Sequence, residues 1–197
     1  MFDSNFFDYF SRIHPIVPLF IFLPAIVVLF VLGLGSLAVL PAIGIFLLGW
    51  LFWTLFEYWM HRMVFHFQPE NGFGARLHWI IHGVHHDHPN DPMRLVMPPS
   101  VSIPLASLMC LLFWAIAGAP YWYVFAAGFL LGYLIYDMAH YYVHHFRPRG
   151  FVGRKLRELH MRHHFQDPDT GYGVSAPWWD HVFGTATKKR GTKTSKS

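Results

Sequence analysis

The chain has 197 residues, of which 54% are hydrophobic and only 13% are Asp, Glu, Lys or Arg, while its 15 histidines equal all its lysines and arginines together. A water-soluble domain carries about 25% charged residues, so this composition excludes an ordinary soluble globule, and its apolar content excludes a disordered chain. A single cysteine, Cys110, excludes an intrachain disulfide framework and a cysteine-based zinc site.

The opening stretch MFDSNFFDYFSRIHP has two acids and no basic cluster ahead of the apolar run, which is not the pattern of a secretory signal. Its Phe2, Phe6, Phe7, Tyr9 and Phe10 read as an amphipathic segment lying in a membrane interface. Pro15 to Phe56 is a run of 42 residues without a charge or a histidine, and Leu95 to Tyr136 is a second uncharged run of the same length. As helix each would measure about 63 Å, twice the ~30 Å hydrocarbon thickness, so each predicts two spans. Gly33, Gly35, Ser36 and Pro41 divide the first run into spans near 16–34 and 39–60, and Gly118, Ala119 and Pro120 divide the second into spans near 102–117 and 121–144.

All Lys and Arg residues fall outside these runs: Arg12, three from Arg62 to Arg94, and eleven from Arg147 onward. If each run enters the membrane and returns, every one lies on one face, which the positive-inside rule makes cytoplasmic, together with both termini. The segment 188–197, with five Lys or Arg and no acid, reads as a solvated basic tail.

Twelve histidines form four clusters at the ends of the apolar runs. HRMVFH holds His61 and His66, HWIIHGVHH holds His78, His82, His85 and His86, HYYVHH holds His140, His144 and His145, and HMRHH holds His160, His163 and His164. Residues three and four apart share a helix face, so His82, His85 and His86 are expected to converge, as are His160, His163 and His164, and His140 with His144. Some ten imidazoles are too many for one ion and suit two, and a polyhistidine site suits iron, zinc, copper or nickel. His61 and His66 stand about 140° apart on a regular helix. They are read here as serving different metals, the alternative being a helix that ends or distorts near Phe65 to Pro69. Glu57 and Asp137 each lie one turn before a histidine, where a carboxylate can accept a hydrogen bond from the outer nitrogen of a ligating ring. His145 and His78 are expected to support the ligands from outside, and His14, His88 and His181 stand alone.

The expected fold is an all-α integral membrane protein: four transmembrane helices in two hairpins under a cytoplasmic helical cap, about 61–100 and 145–187, that carries the polyhistidine di-metal site. Residues 1–197 are expected to form one membrane-embedded domain. A divalent-metal transporter or sensor would place coordinating groups near midspan, and the first and third spans have none. A zinc membrane protease would need HExxH, and no histidine here is followed by Glu.

With these clusters the chain resembles the fatty acid hydroxylase/sterol desaturase superfamily, and most closely the fatty acid 2-hydroxylases. The resemblance rests on HRMVFH, LHWIIHGVHHDHPNDPMRLVMPP, GYLIYDMAHYYVHH, LHMRHHF and GYGVSAPWWDHVFGT, from about Glu57 to Thr185. It implies His61, His66, His82, His85, His86, His140, His144, His160, His163 and His164 as metal ligands. It further implies two metal ions, natively iron with zinc able to occupy the site in purified protein, and O2 as co-substrate. The implied reaction hydroxylates C2 of a long-chain fatty acyl group, free or in a sphingolipid or ceramide. Some members of the family append a cytochrome b5 domain; the short N-terminal stretch here leads us to expect a separate electron donor, cytochrome b5-like or ferredoxin-like, and no nucleic-acid partner. Tyr172 is a candidate substrate contact, and no side chain need act as nucleophile. A lipid or sterol desaturase or a carotenoid hydroxylase of the same superfamily is the rival reading.

Overall fold

The computed structural model describes residues 12–67, 72, 74, 75 and 83–188. Among these residues there is no β-strand, and four helices are long and apolar enough to cross a membrane. They are α1 (Val17–Leu34), α2 (Val39–Met60), α4 (Pro99–Ala117) and α5 (Tyr121–His145). Shorter helices complete the chain order: α3 (Val84–Asp87), α6 (Phe151–Phe165) and α7 (Trp178–Val182). The expected spans and both hairpins are present. α4 begins three residues before the expected start, because Pro99 occupies its first turn, where a missing N–H costs nothing.

α5 is the central helix: α1, α2 and α4 all pack on it, α2 most extensively. Small residues set this geometry. A Cβ on Gly128 would strike the carbonyl oxygen of Phe46, one on Gly49 would strike that of Phe125, and one on Gly132 would strike the Trp53 ring. In a membrane, where lipid is as apolar as the side chains, such backbone contact is a main source of helix association. Trp53, Phe129 and Tyr133 then stack edge-on around the crossing. The opposite helix faces carry Phe20, Val27, Leu40, Leu111 and Ile116, all largely exposed, as lipid-facing positions require.

The C-terminal ends of α2 and α5 and the start of α4 share one side of the bundle, capped by α3, α6 and α7. α7 is pinned to α2 by the Trp179 indole N–H donating to Thr54 Oγ1 at 3.0 Å and by Phe183 stacked on Tyr58. The last carbonyls of α5 have no partner within the helix. Arg157 of α6 supplies one, donating from its guanidinium to the carbonyls of Val143, His144 (3.2 Å) and Phe146 (3.2 Å). Arg157→Ala is expected to cost about 1–2 kcal/mol, visible as a lower melting temperature in detergent; an unchanged melt would show that water replaces the guanidinium without loss.

α2 does not simply stop. It continues as one π-helical turn, His61–Phe65, closed by the His66 N–H donating to the His61 carbonyl at 3.1 Å. A π turn holds an extra residue between bonded groups.

Candidate metal centre

Among the described residues, nine histidines gather into two adjoining groups at the capped end of the bundle. His85, His140, His144, His160 and His164 form one, and His61, His66, His86 and His163 the other, with the ligand atoms of each group within 4.8 Å of one another. The end of α2 supplies His61 and His66, α3 supplies His85 and His86, α5 supplies His140 and His144, and α6 supplies His160, His163 and His164.

Adjacent histidines part company. Neighbours on a helix point about 100° apart, so His85 joins the five-membered group while His86 joins the four-membered one, and His164 and His163 divide likewise. The expectations that His85 and His86 converge, and that His160, His163 and His164 do, are corrected accordingly: His85 and His86 divide, while His160 and His164, one turn apart, stay together. The rings that divide still touch across the boundary, His86 stacking on His164 with centroids 4.2 Å apart.

His61 and His66 require a second correction, because they share a group. The π turn widens the coil so that five residues bring them back to one face, with Nε2 atoms 3.2 Å apart.

The donor set identifies what the groups can hold. His61 Nδ1 lies 2.7 Å from the Tyr172 carbonyl and His163 Nδ1 lies 2.7 Å from the Thr170 carbonyl. A carbonyl only accepts, so each Nδ1 carries the proton and each Nε2 is a bare lone pair. Both lone pairs point at His66 Nε2, at 3.2 and 3.0 Å, and one nitrogen cannot donate a proton to both. In the other group, His85 Nε2 meets His140 Nε2 at 2.9 Å and His164 Nε2 at 3.0 Å, while His160 Nε2 meets His144 Nε2 at 2.8 Å and His164 Nε2 at 3.1 Å. Two nitrogens bound ~2.1 Å from one ion lie about 3.0–3.4 Å apart. Converging lone pairs at this spacing fit a cation in each group. Burial acts in the same direction: it lowers the proton affinity of His85, His160, His163 and His164 below the ordinary 6.5, reinforced in His85, His160 and His164 by neighbouring imidazoles. Neutral rings at pH 7 are the ligand form.

Glu57 and Asp137 are not placed as the sequence suggested. The Glu57 carboxylate accepts the Ser175 N–H at 2.7 Å and the Ser175 hydroxyl, while the outer nitrogen of His61 is taken by the Tyr172 carbonyl. Asp137 accepts the Met97 N–H and the Tyr133 hydroxyl, each at 3.3 Å. Both carboxylates fasten cap segments to transmembrane helices instead of steering a ring directly. His145 belongs to neither group and packs its ring on Tyr141. Tyr172 is buried, with its ring 5.4 Å from that of His66, so it does border the four-membered group. His78 and His82 lie outside the described residues.

Sequence reasoning overlooked Asp180. Its carboxylate accepts the N–H groups of Tyr172 (2.8 Å) and Gly173 (2.9 Å) and the Thr185 hydroxyl (2.9 Å). Burial raises its proton affinity, opposed by these same bonds. The only local signal was its place between two tryptophans and a histidine in WWDH.

Comparison with known proteins agrees with this geometry. Residues 46–185 match the sequence profile of the fatty acid hydroxylase family. The dihydroceramide fatty acyl 2-hydroxylase FAH2 of Arabidopsis thaliana is 37% identical over 190 residues, covering 93% of this chain and 78% of the relative. The ceramide very long chain fatty acid hydroxylase SCS7 of Saccharomyces cerevisiae is 38% identical over 166 residues, covering 83% of this chain and 43% of the relative. A solved structure described as full-length scs7p, with only the hydroxylase domain visible, superposes with a TM-score of 0.90 at 35% identity, covering 93% of this chain and 70% of that one. Four membrane-crossing helices, two histidine groups able to hold metal and this kinship together make the chain a multi-pass membrane hydroxylase that belongs to the fatty acid hydroxylase family.

Proposed function

We propose that the chain hydroxylates C2 of a long-chain fatty acyl group, free or carried in a sphingolipid or ceramide, at two metal ions that are natively iron. The observation that carries this reading is the convergence of nine imidazoles into two adjoining groups at one end of a membrane bundle. His85, His140, His144, His160 and His164 would hold one ion, and His61, His66, His86 and His163 the other; His82 is an expected further ligand. When bound, the metal pair supplies activation of O2, with electrons from a separate cytochrome b5-like or ferredoxin-like donor. The protein's own residues do the rest. Carbonyls of Tyr172 and Thr170 hold protons on the outer nitrogens of His61 and His163, so that the inner lone pairs stay available. Tyr172 borders the four-membered group as a substrate contact. The basic residues outside the spans support a cytoplasmic location for this end of the bundle, in a chain read as one membrane-embedded domain with its cap.

The acyl chain has a place to lie. α1 and α4 flank α5 and leave between them an apolar cleft of about 830 Å³, lined by Phe22, Ala25, Cys110, Trp114 and Trp122 among others. Ala106 and Leu130 border both this cleft and a smaller cavity below Met97 and Tyr133, on the side of the metal groups. A reacting carbon held at the membrane boundary leaves its chain to descend along this path. Ala106→Trp is expected to shift hydroxylated products toward shorter acyl chains in a lipid mass-spectrometric profile. An unchanged chain-length distribution would remove the cleft from the substrate path.

The reaction itself is tested by expressing the chain, with iron and a donor supplied, in a host that makes long-chain lipids. New 2-hydroxylated acyl groups support the reading, and a new double bond in their place would make the chain a desaturase.

A further inference from the structure

The four-membered group owes its ring orientations to two peptide units, and one carboxylate outside the group grips the first directly and the second through Thr185. In the unit joining Tyr172 to Gly173, the carbonyl faces His61 Nδ1 at 2.7 Å and the N–H donates to Asp180 Oδ2 at 2.9 Å. C=O and N–H point in opposite directions across a trans peptide, so the grip on one side sets the aim on the other. In the unit joining Thr170 to Gly171, the carbonyl faces His163 Nδ1 at 2.7 Å and the N–H donates to the Thr185 carbonyl at 2.8 Å. Thr185 is itself fastened to Asp180 twice, by its hydroxyl to Oδ1 at 2.9 Å and by its N–H to the main-chain carbonyl at 2.8 Å.

The backbone between these units cannot set itself. Gly171 has φ +78°, a conformation that L side chains resist, and a Cβ on Gly173 would run into the Ala176 carbonyl. The segment is an irregular turn whose shape depends on outside partners. The five-membered group is arranged differently: the outer nitrogens of His160 and His164 are buried without a hydrogen-bond partner among the described residues, and His144 reaches the Pro89 backbone.

We propose that Asp180 is a positioning residue for the four-histidine metal site alone, fixing the tautomer and direction of His61 and His163 through the peptide units 172–173 and 170–171. The inference rests on the two histidine groups being metal sites. It makes the two sites unequal: one depends on a distant carboxylate and the other does not.

The test uses the full chain in detergent, loaded with zinc as a redox-silent probe and titrated with a chelator. Asp180→Asn is expected to keep one zinc at wild-type affinity and to release the other at roughly 10-fold lower chelator concentration or less, the range that outer partners of ligating histidines command. In a His164→Ala background, which disables the five-membered group, Asp180→Asn should weaken the remaining zinc by the same factor. In a His163→Ala background it should leave the remaining zinc unchanged. Should Asp180→Asn fail to give monodisperse protein, Thr185→Val removes one of the three bonds to the carboxylate and should give a smaller shift at the same site. Two zinc ions with no selective weakening, or equal weakening of both, would overturn the positioning role alone. A wild-type chain that holds fewer than two would overturn the two-site assignment beneath it.

Discussion

His163→Ala and His164→Ala, made separately, should each lower 2-hydroxylated lipid by at least ~100-fold and each lower bound metal from two ions to one. Outer partners of ligating histidines are worth up to about 100-fold, and a direct ligand should be worth no less. The two residues are consecutive, yet His163 Nε2 meets His66 at 3.0 Å while His164 Nε2 meets His85 at 3.0 Å. The variants therefore disable different sites. Loss of product in both says that the reaction needs both ions, and the double variant should hold none. Lipid mass spectrometry beside metal analysis of the same preparations provides the measurement. A single variant that still accumulates product would make its site structural, and a single variant that loses both ions would show that the two groups cannot fill independently.

The second large effect concerns the frame. Gly128→Leu is expected to destabilise the bundle by about 3 kcal/mol or more, at the upper end of overpacking effects, and to leave little protein that elutes as a single species. Overpacking is usually relieved by a side chain moving aside. Here a Cβ would meet the Phe46 carbonyl and the Trp50 amide nitrogen, which belong to the backbone of α2, so relief requires α2 and α5 to separate. That separation would carry His61 and His66 away from His140 and His144, and metal should be lost with the fold. Gly44→Leu is the control: it lies on the partner helix α2, exposed, with nothing within 4 Å of the added Cβ, and should leave the melting temperature unchanged. Equal melting temperatures for the two variants would show that the crossing is not what holds the bundle together.

The spans were legible because charge is so unfavourable in hydrocarbon that its absence marks a membrane segment, and the hairpin turns followed from Gly and Pro. The histidine clusters were legible as clusters. Their division between two groups was not, because the helical rule that gathers positions 160, 163 and 164 on one broad face does not say where that face is cut. His61 and His66 were misread for a definite reason: their spacing was judged on an α-helix, and a π turn changes the angle that a spacing represents. Glu57 was assigned to its helical neighbour four residues on, whereas its partner, Ser175, lies 118 residues away. Asp180 had no readable role because its bonds go to backbone groups of an irregular turn, which leave no periodicity in the side chains that carry them. Local rules found the histidines that gather; what aims them was settled by contacts between distant parts of the chain.

The π turn at the end of α2 also bears on which changes in chain length this site can survive. Between His61 and His66 the identities Arg62, Met63, Val64 and Phe65 are less constrained than their number, since the wide coil uses all of them to bring His66 round. Deleting any one would let the segment relax to ordinary winding and shorten the spacing to one that an α-helix closes. The helix would gain regularity, yet the imidazole would arrive a residue early, displaced along the axis from the partners it now meets. Gaps and insertions that surface loops absorb with little cost are thus barred from this one stretch, although no glycine or proline marks it as special.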